Sequence, residues 1–191
     1  SPSGEHYYPA FPYTSYSKMR DQELLDLKAY LDAQPPVAAP SKEHELSFPF
    51  NQRALLGFWK WLNFDEETFT PDPSRSDSWN RGAYLVNGPS HCVECHTPRN
   101  LLGGLDSDAG MIGNEEGPEG EAVPGLDRRV NKEFAKWELS DIVFSLEAGM
   151  KPDGDFFGGS MGHVIDNTTS LMTEEDRQAI AEYLQSPGSR R

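Results

Sequence analysis

The sequence predicts an all-α chain, and three observations carry that prediction. Helical periodicity recurs at residues 21–34, 79–86, 139–148 and 173–186, each stretch with its own start and stop residues. The helices are short and the loops between them rich in glycine and proline, so the core needs a further component. That component is indicated by Cys92-Val93-Glu94-Cys95-His96, a Cys-x-x-Cys-His stretch that uses both cysteines of the 191 residues. Two thiols at this spacing can each add to one vinyl group of a porphyrin while the next side chain, an imidazole, reaches the iron. The expected cofactor is therefore one covalent haem c, with the helices wrapped around it. A thioredoxin-like pair would want a strand-to-helix setting, and structural zinc a second ligand pair at matching spacing; neither pattern is present.

The net charge is -14. Such an acidic surface repels nucleic-acid phosphates and favours a basic docking face on a protein partner. No run of 18 apolar residues occurs, so no transmembrane segment is expected. Covalent haem attachment belongs outside the cytoplasm and residue 1 opens on no secretion signal, so the expectation is a mature or trimmed periplasmic chain.

Residues 1–20 hold an aromatic and proline cluster, Tyr7-Tyr8-Pro9-Ala10-Phe11-Pro12-Tyr13, which is expected to be irregular. Residues 21–34 read as an amphipathic helix with Leu24, Leu25, Leu27, Tyr30 and Leu31 apolar and Asp21 and Glu23 in its first turn; it stops at Pro35-Pro36. A shift of 153 residues aligns Met19 with Met172, Asp21 with Glu174, Glu23 with Asp176, Leu27 with Ile180, Tyr30 with Tyr183 and Leu31 with Leu184. That match predicts two copies of one terminal helix. Residues 36–77 read as a connector with a helical stretch over 51–63, whose Leu55, Leu56, Phe58, Trp59, Trp61 and Leu62 suit either a strap packed across two domains or a patch against a partner or membrane surface.

From residue 78 the haem unit begins. Ser78 or Asp77 can cap a helix through Trp79–Val86, and Gly82 on it can let another helix cross closely, with Tyr183 filling the space beside it. A third helix spans 139–148 and ends at Gly149. The last starts on a capping-box-like Thr173-x-x-Asp176 and stops at Ser186-Pro187-Gly188.

These residues carry a family resemblance. Trp79-Asn80-Arg81-Gly82-Ala83-Tyr84-Leu85-Val86, His91 to Asn100, Pro152 to Phe156 and Gly158-Gly159-Ser160-Met161 resemble the mono- and dihaem cytochrome c family. That family includes the cytochrome subunits of membrane-bound alcohol, aldehyde and gluconate dehydrogenases. The resemblance implies a class I cytochrome c domain over 78–188, preceded by a linker over 36–77 and, over 1–35, by the end of another cytochrome c domain. The attachment motif of that earlier domain would lie before Ser1, so a second haem would travel with an upstream segment; the chain then reads as a fragment or as half of a dihaem protein.

An electron carrier needs a second axial ligand. Met161 lies 65 residues after His96, in a glycine-rich loop, and matches the family's ligand position. Of the other methionines, Met150 reads as packing, Met172 as a staple on the last helix, and Met111 as exposed. Met19 stands open between two readings, a staple like Met172 or the ligand of a second haem. His163 could compete for iron, whereas His6, His44 and His91 read as surface or hydrogen-bonded groups. Pro98 and Arg99 follow the motif directly; the Thr97-Pro98 turn or the loop beyond it should accept the second imidazole hydrogen, and Arg99 should meet a haem propionate or solvent. Trp137 and Phe157 are candidates for haem packing. Asp106 to Glu121 contains six acidic residues and no basic one, and is expected to be a flexible, solvated loop.

The function implied is periplasmic single-electron transfer through a His96/Met161 haem c, between a dehydrogenase or other donor and a respiratory-chain acceptor. Two readings from other classes stay beside it: a haem enzyme with a labile distal ligand doing peroxide or sulfur chemistry, and a structural subunit of an oxidoreductase complex.

Overall fold

The computed structural model describes residues 1–117 and 120–186. The expected Pro187-Gly188 stop, the domain end at 188 and Glu119 of the acidic stretch lie outside the described residues. The chain divides into two compact units, Ser1–Phe69 and Thr70–Arg191.

In the first unit, α1 (Tyr13–Tyr16) is a single turn after Pro12, followed by α2 (Asp21–Asp32) and α3 (Leu55–Asn63). The segment after α2 folds back on the N-terminal aromatic cluster. Arg53 donates to the His6 carbonyl at 2.9 Å and lies over the Tyr8 ring. His44 packs edge-on against Tyr8, and Tyr13 against Phe64. Leu56 is buried, while Phe58 and Trp61 stay exposed. The helical stretch thus starts at Leu55 rather than 51.

The second unit contains α4 (Asp77–Asn87), α5 (Val93–His96), β1 (Gly113–Asn114), β2 (Val123–Pro124), α6 (Leu139–Ala148), α7 (Gly159–Asn167) and α8 (Glu174–Gln185). The unit is mostly helical, as expected, with one addition: β1, inside the stretch expected to be a loop, pairs antiparallel with β2 just beyond it. Ser76, not Asp77 or Ser78, caps α4; its hydroxyl accepts from the Trp79 amide at 3.0 Å, which leaves Asp77 in the first turn. Thr173 caps α8 as predicted, its Oγ1 accepting from the Asp176 amide. Helix α6 ends at Gly149, whose φ of 68° is the left-handed cap that glycine takes without strain.

The core is organised by the crossing of α4 and α8. A Cβ on Gly82 would sit 1.9 Å from the Ala179 carbonyl oxygen and 2.9 Å from the Tyr183 Cβ, so only glycine permits this approach. Polar pins surround the crossing. Arg81 pairs with both carboxylate oxygens of Asp176 at 2.7 and 2.9 Å, Ser76 donates to Glu182, and Trp79 donates to the Ser186 hydroxyl while its ring packs edge-on against Tyr183. The Asn87 side-chain amide donates to the Tyr183 hydroxyl at 3.1 Å. Arg177, buried, gathers the carbonyls of Thr169, Ser170 and Met172 and so fixes the turn that leads into α8.

The predicted pairing of α2 with α8 appears in the backbone. Both are twelve residues long, and their bounds differ by the same 153 positions. The hydrogen bonds correspond as well. Lys18 to Ser15 matches Leu171 to Thr168, Met19 to Tyr16 matches Met172 to Thr169, Leu24 to Arg20 matches Arg177 to Thr173, and Ala33 to Tyr30 matches Ser186 to Tyr183. Their surroundings differ: six residues of α8 are buried, and none of α2 is. The apolar stripe expected to pack therefore lies uncovered.

Candidate functional site

The motif forms one tight turn after α4. Gly88 closes that helix, the Ser90 amide returns to the Leu85 carbonyl, and His91 takes a positive φ of 39° that redirects the chain into Cys92. The His91 ring, half-buried, is hydrogen-bonded to the Pro89 carbonyl, as a hydrogen-bonded rather than ligating residue would be. From Cys92 the backbone is helical, and the His96 amide bonds the Cys92 carbonyl at 3.0 Å. Cys92, Cys95 and His96 therefore stand together on one turn. Both cysteines are free thiols, not a disulfide.

Burial pushes the Cys92 thiol up to about 12, and it raises Cys95 too, with Arg99 opposing. Burial thus holds both thiols away from the thiolate form that a redox nucleophile uses. Among the described residues, no group of three or more His, Cys, Asp and Glu side chains is placed to hold a metal ion.

His96 is 8% exposed. Its Nδ1 donates to the carbonyl oxygen of Pro124 at 2.7 Å, which fixes the tautomer and leaves Nε2 as the nitrogen with a lone pair. Burial lowers the His96 pKa, with the Pro124 bond opposing, so the ring is neutral and fit to ligate. The acceptor lies beyond the Thr97-Pro98 turn, on β2. Its position depends on two glycines: a Cβ on Gly113 would lie 2.9 Å from the Gly125 nitrogen, and one on Gly125 would lie 2.5 Å from the Ile112 carbonyl oxygen. Asn131 donates to the Gly125 carbonyl at 2.8 Å and accepts from the amides of Glu133 and Phe134, tying the Pro124–Gly125 segment to the next turn.

Met111 corrects one expectation. It is 4% exposed, and its carbonyl takes the amides of Leu126 and Asp127, so it is part of the packing beneath the ribbon that carries Pro124. Gly113, Pro124, Gly125 and Asn131 went unassigned in the sequence, where the loop beyond the Thr97-Pro98 turn was named only as a whole.

Arg99 is placed by its own neighbours. Its guanidinium donates to the Glu94 carboxylate, the Glu94 carbonyl and the Gly103 carbonyl, each at 2.9 Å, and so clamps the loop after the motif onto α5. Pro98, half-buried, accepts the Asp106 amide through its carbonyl. Trp137 and Phe157 pack edge-on with ring centroids 6.4 Å apart.

Met161 sits in the first turn of α7 rather than in a loop. A short hairpin delivers it: Met150 bridges Phe156, the Phe157 amide returns to the Gly149 carbonyl, and Gly158 opens the helix. Met161 is half-buried and His163 exposed. Met150 is half-buried, and its carbonyl accepts the Ser145 hydroxyl. Met19 lies in the first unit immediately before the Arg20 position that opens α2, as Met172 lies immediately before Thr173.

This donor set fits a covalently held porphyrin: two thiols on one turn that form no disulfide, and an imidazole whose Nε2 is left for iron. No helix among the described residues is long and apolar enough to cross a membrane.

No family model matches the chain. It is 44% identical over 184 residues to a dihaem cytochrome c-type protein of Cereibacter sphaeroides, covering 96% of this chain and 60% of that one. It is 34% identical to the fructose dehydrogenase cytochrome subunit of Gluconobacter japonicus, over 96% of this chain and 37% of the relative. With the cytochrome c subunit of a quinone-dependent alcohol dehydrogenase of Gluconacetobacter polyoxogenes it shares 36% identity, over 96% of this chain and 40% of that subunit. The chain thus spans 60% or less of the length of each of these relatives. With its Cys-x-x-Cys-His turn built as described, the chain is similar along nearly all of its length to cytochrome c proteins and so matches the c-type cytochrome family.

Proposed function

We propose that the second unit is a class I cytochrome c domain that carries single electrons through one haem c. The observation that carries this reading is the His96 ring: it follows two free thiols on one turn, and the Pro124 carbonyl at 2.7 Å commits Nδ1, so Nε2 is the iron ligand. Cys92 and Cys95 would hold the porphyrin through thioethers, and Met161 of α7 would supply the second iron ligand. Bound haem c would take up and release one electron at its iron. The chain's part is to hold the imidazole neutral and in register, to exclude water around it, and to offer the Met161 thioether, so that no ligand would need to be exchanged at turnover.

Residues 1–35 are the end of a preceding cytochrome c domain and 36–77 the linker to the domain over 78–188, a reading supported by the correspondence of α2 with α8. A second haem then belongs to polypeptide outside this chain. The relatives named as dehydrogenase cytochrome subunits support a dehydrogenase as donor; a respiratory-chain component as acceptor and a periplasmic location complete the reading, since covalent haem attachment belongs outside the cytoplasm. The net charge of -14 favours a basic docking face on the partner and a weak, salt-sensitive encounter.

The test is a haem count by pyridine haemochrome with the near-infrared spectrum of the oxidised protein. One haem per chain with a methionine-type charge-transfer band is expected. A high-spin spectrum would overturn the carrier reading and favour a haem enzyme.

A further inference from the structure

The hairpin over residues 149–157 leads directly into the first turn of α7, and one side chain spans it. Lys151 builds the hairpin's turn through its backbone: its amide donates to the Asp155 carbonyl at 2.7 Å and its carbonyl accepts the Gly154 amide at 2.9 Å. The Lys151 ammonium reaches back over the same turn. It donates to the Asp155 carboxylate at 2.8 Å and lies 5.6 Å from the centre of the Phe157 ring. Phe157 is where the hairpin meets the helix. Its ring packs edge-on against Trp137, whose carbonyl accepts from the Gln185 side chain at 3.1 Å, so the ring is tied to α8. Its carbonyl lies so near Gly162 that a Cβ there would stand 3.2 Å from the oxygen. Gly162 directly follows Met161. A displaced Phe157 must therefore displace the first turn of α7.

We propose that Lys151 is a positioning residue for the distal side of the haem: by holding Phe157 against Trp137 and Gly162, it sets where the Met161 thioether stands. The inference rests on reading Met161 as the second iron ligand. The start of the hairpin needs no such hold, because the Ser145 hydroxyl of α6 donates to the Met150 carbonyl at 2.8 Å. The Asp155 side chain is 71% exposed and that of Lys151 31%, so the pair adds little to global stability. Its effect is local. Groups that fix the orientation of a metal ligand are felt at the metal even when they touch it only through other residues.

The experiment titrates imidazole, which must displace the distal ligand to reach the iron, into the oxidised, haem-loaded chain. Lys151→Met keeps the apolar stem and removes the cation; it should raise the apparent imidazole affinity about ten-fold and leave the urea midpoint nearly unchanged. Lys151→Arg, which keeps a cation for Asp155 and the Phe157 ring, should restore the original affinity. Lys28→Met, the same loss of charge in the other unit, should change nothing. An affinity in Lys151→Met within about two-fold of the unaltered chain, or an equal rise in Lys28→Met, would overturn the proposal. A rise accompanied by a clearly lowered urea midpoint would overturn it too, since Lys151 would then act on the fold as a whole. The underlying assignment fails by a different measurement: a methionine band that survives Met161→Leu removes Met161 from the iron whatever Lys151 does.

Discussion

His96 donates its Nδ1 hydrogen to the carbonyl oxygen of Pro124, a residue 28 positions further along, at 2.7 Å. The bond links the attachment turn to the β1–β2 ribbon. It makes the basicity of the imidazole depend on where the ribbon stands, because a hydrogen bond at Nδ1 strengthens the donor at Nε2. Asn131 holds the ribbon through the Gly125 carbonyl.

Replacing Asn131 by alanine should therefore act at a distance. Three hydrogen bonds are lost, those to the Gly125 carbonyl and from the Glu133 and Phe134 amides, so the expected cost is about 1–3 kcal/mol in urea denaturation. The reduction potential should rise, since a loosened Pro124 carbonyl leaves His96 a poorer donor to the oxidised iron. An unchanged potential with lowered stability would reduce Asn131 to a packing role. Gly125→Ala should be worse, because its Cβ would meet the Ile112 carbonyl oxygen at 2.5 Å.

At the crossing of α4 and α8, substituting Gly82 by alanine places a methyl group 1.9 Å from the Ala179 carbonyl oxygen. Backbone must move, since the obstacle is not a flexible side chain. A destabilisation of about 3 kcal/mol or more is expected, at the upper end of overpacking in protein cores. Urea midpoints with an unchanged m-value would check it. A cost below about 1 kcal/mol would mean that the helices can part freely.

Much of this crossing was legible in the sequence. Gly82 and Tyr183 could be paired because a glycine inside a helix needs a reason and an aromatic in a facing helix gives one. The caps at Thr173 and Gly149 followed from local chemistry, and the equivalence of α2 and α8 from a constant offset. What was not legible depends on long-range register. Pro124 offers only a backbone carbonyl, and every residue has one, so no side-chain pattern marks it as the partner of His96. Met111 looked exposed because its neighbours are acidic and small; two paired strands of two residues each are too short to show alternation. The α4 cap moved to Ser76 because Ser76, Asp77 and Ser78 are all competent capping residues, and adjacent candidates cannot be ranked by residue type alone.

The Arg81–Asp176 pair predicts a pH dependence. The hydrogen bond from Arg81 lowers the Asp176 pKa below its ordinary value, against the opposing effect of burial. A carboxylate whose folded pKa is depressed contributes stability that is complete above its unfolded value of about 4 and is lost as pH falls through the folded value. Arg81 is 36% exposed, so solvent screening holds the pair to about 1 kcal/mol. Asp176→Asn should remove that increment at pH 7 and flatten the stability profile below about pH 4, as measured by urea midpoints. A parallel profile in the variant would show that other carboxylates carry the acid sensitivity.

The two methionines separate the ligand from the staple. On the proposed assignment Met161 holds the distal position, so Met161→Leu should abolish the near-infrared methionine band and give a high-spin spectrum, with the haem still attached through Cys92 and Cys95. Met161→His should stay low-spin at a lower potential, since an imidazole stabilises the oxidised iron better than a thioether does. Met19 stands before α2 as Met172 stands before α8, with the same backbone bond to the residue three positions earlier. Two equivalent positions at helix entries read more simply as apolar contacts on the first turns of their helices. Met19→Leu and Met172→Leu should then leave the spectrum and the potential of this chain unchanged and cost less than about 1.5 kcal/mol each, the usual range for a volume-conserving exchange. Retention of the methionine band in Met161→Leu would remove Met161 from the iron, and loss of the band in Met172→Leu would overturn the staple reading of Met172.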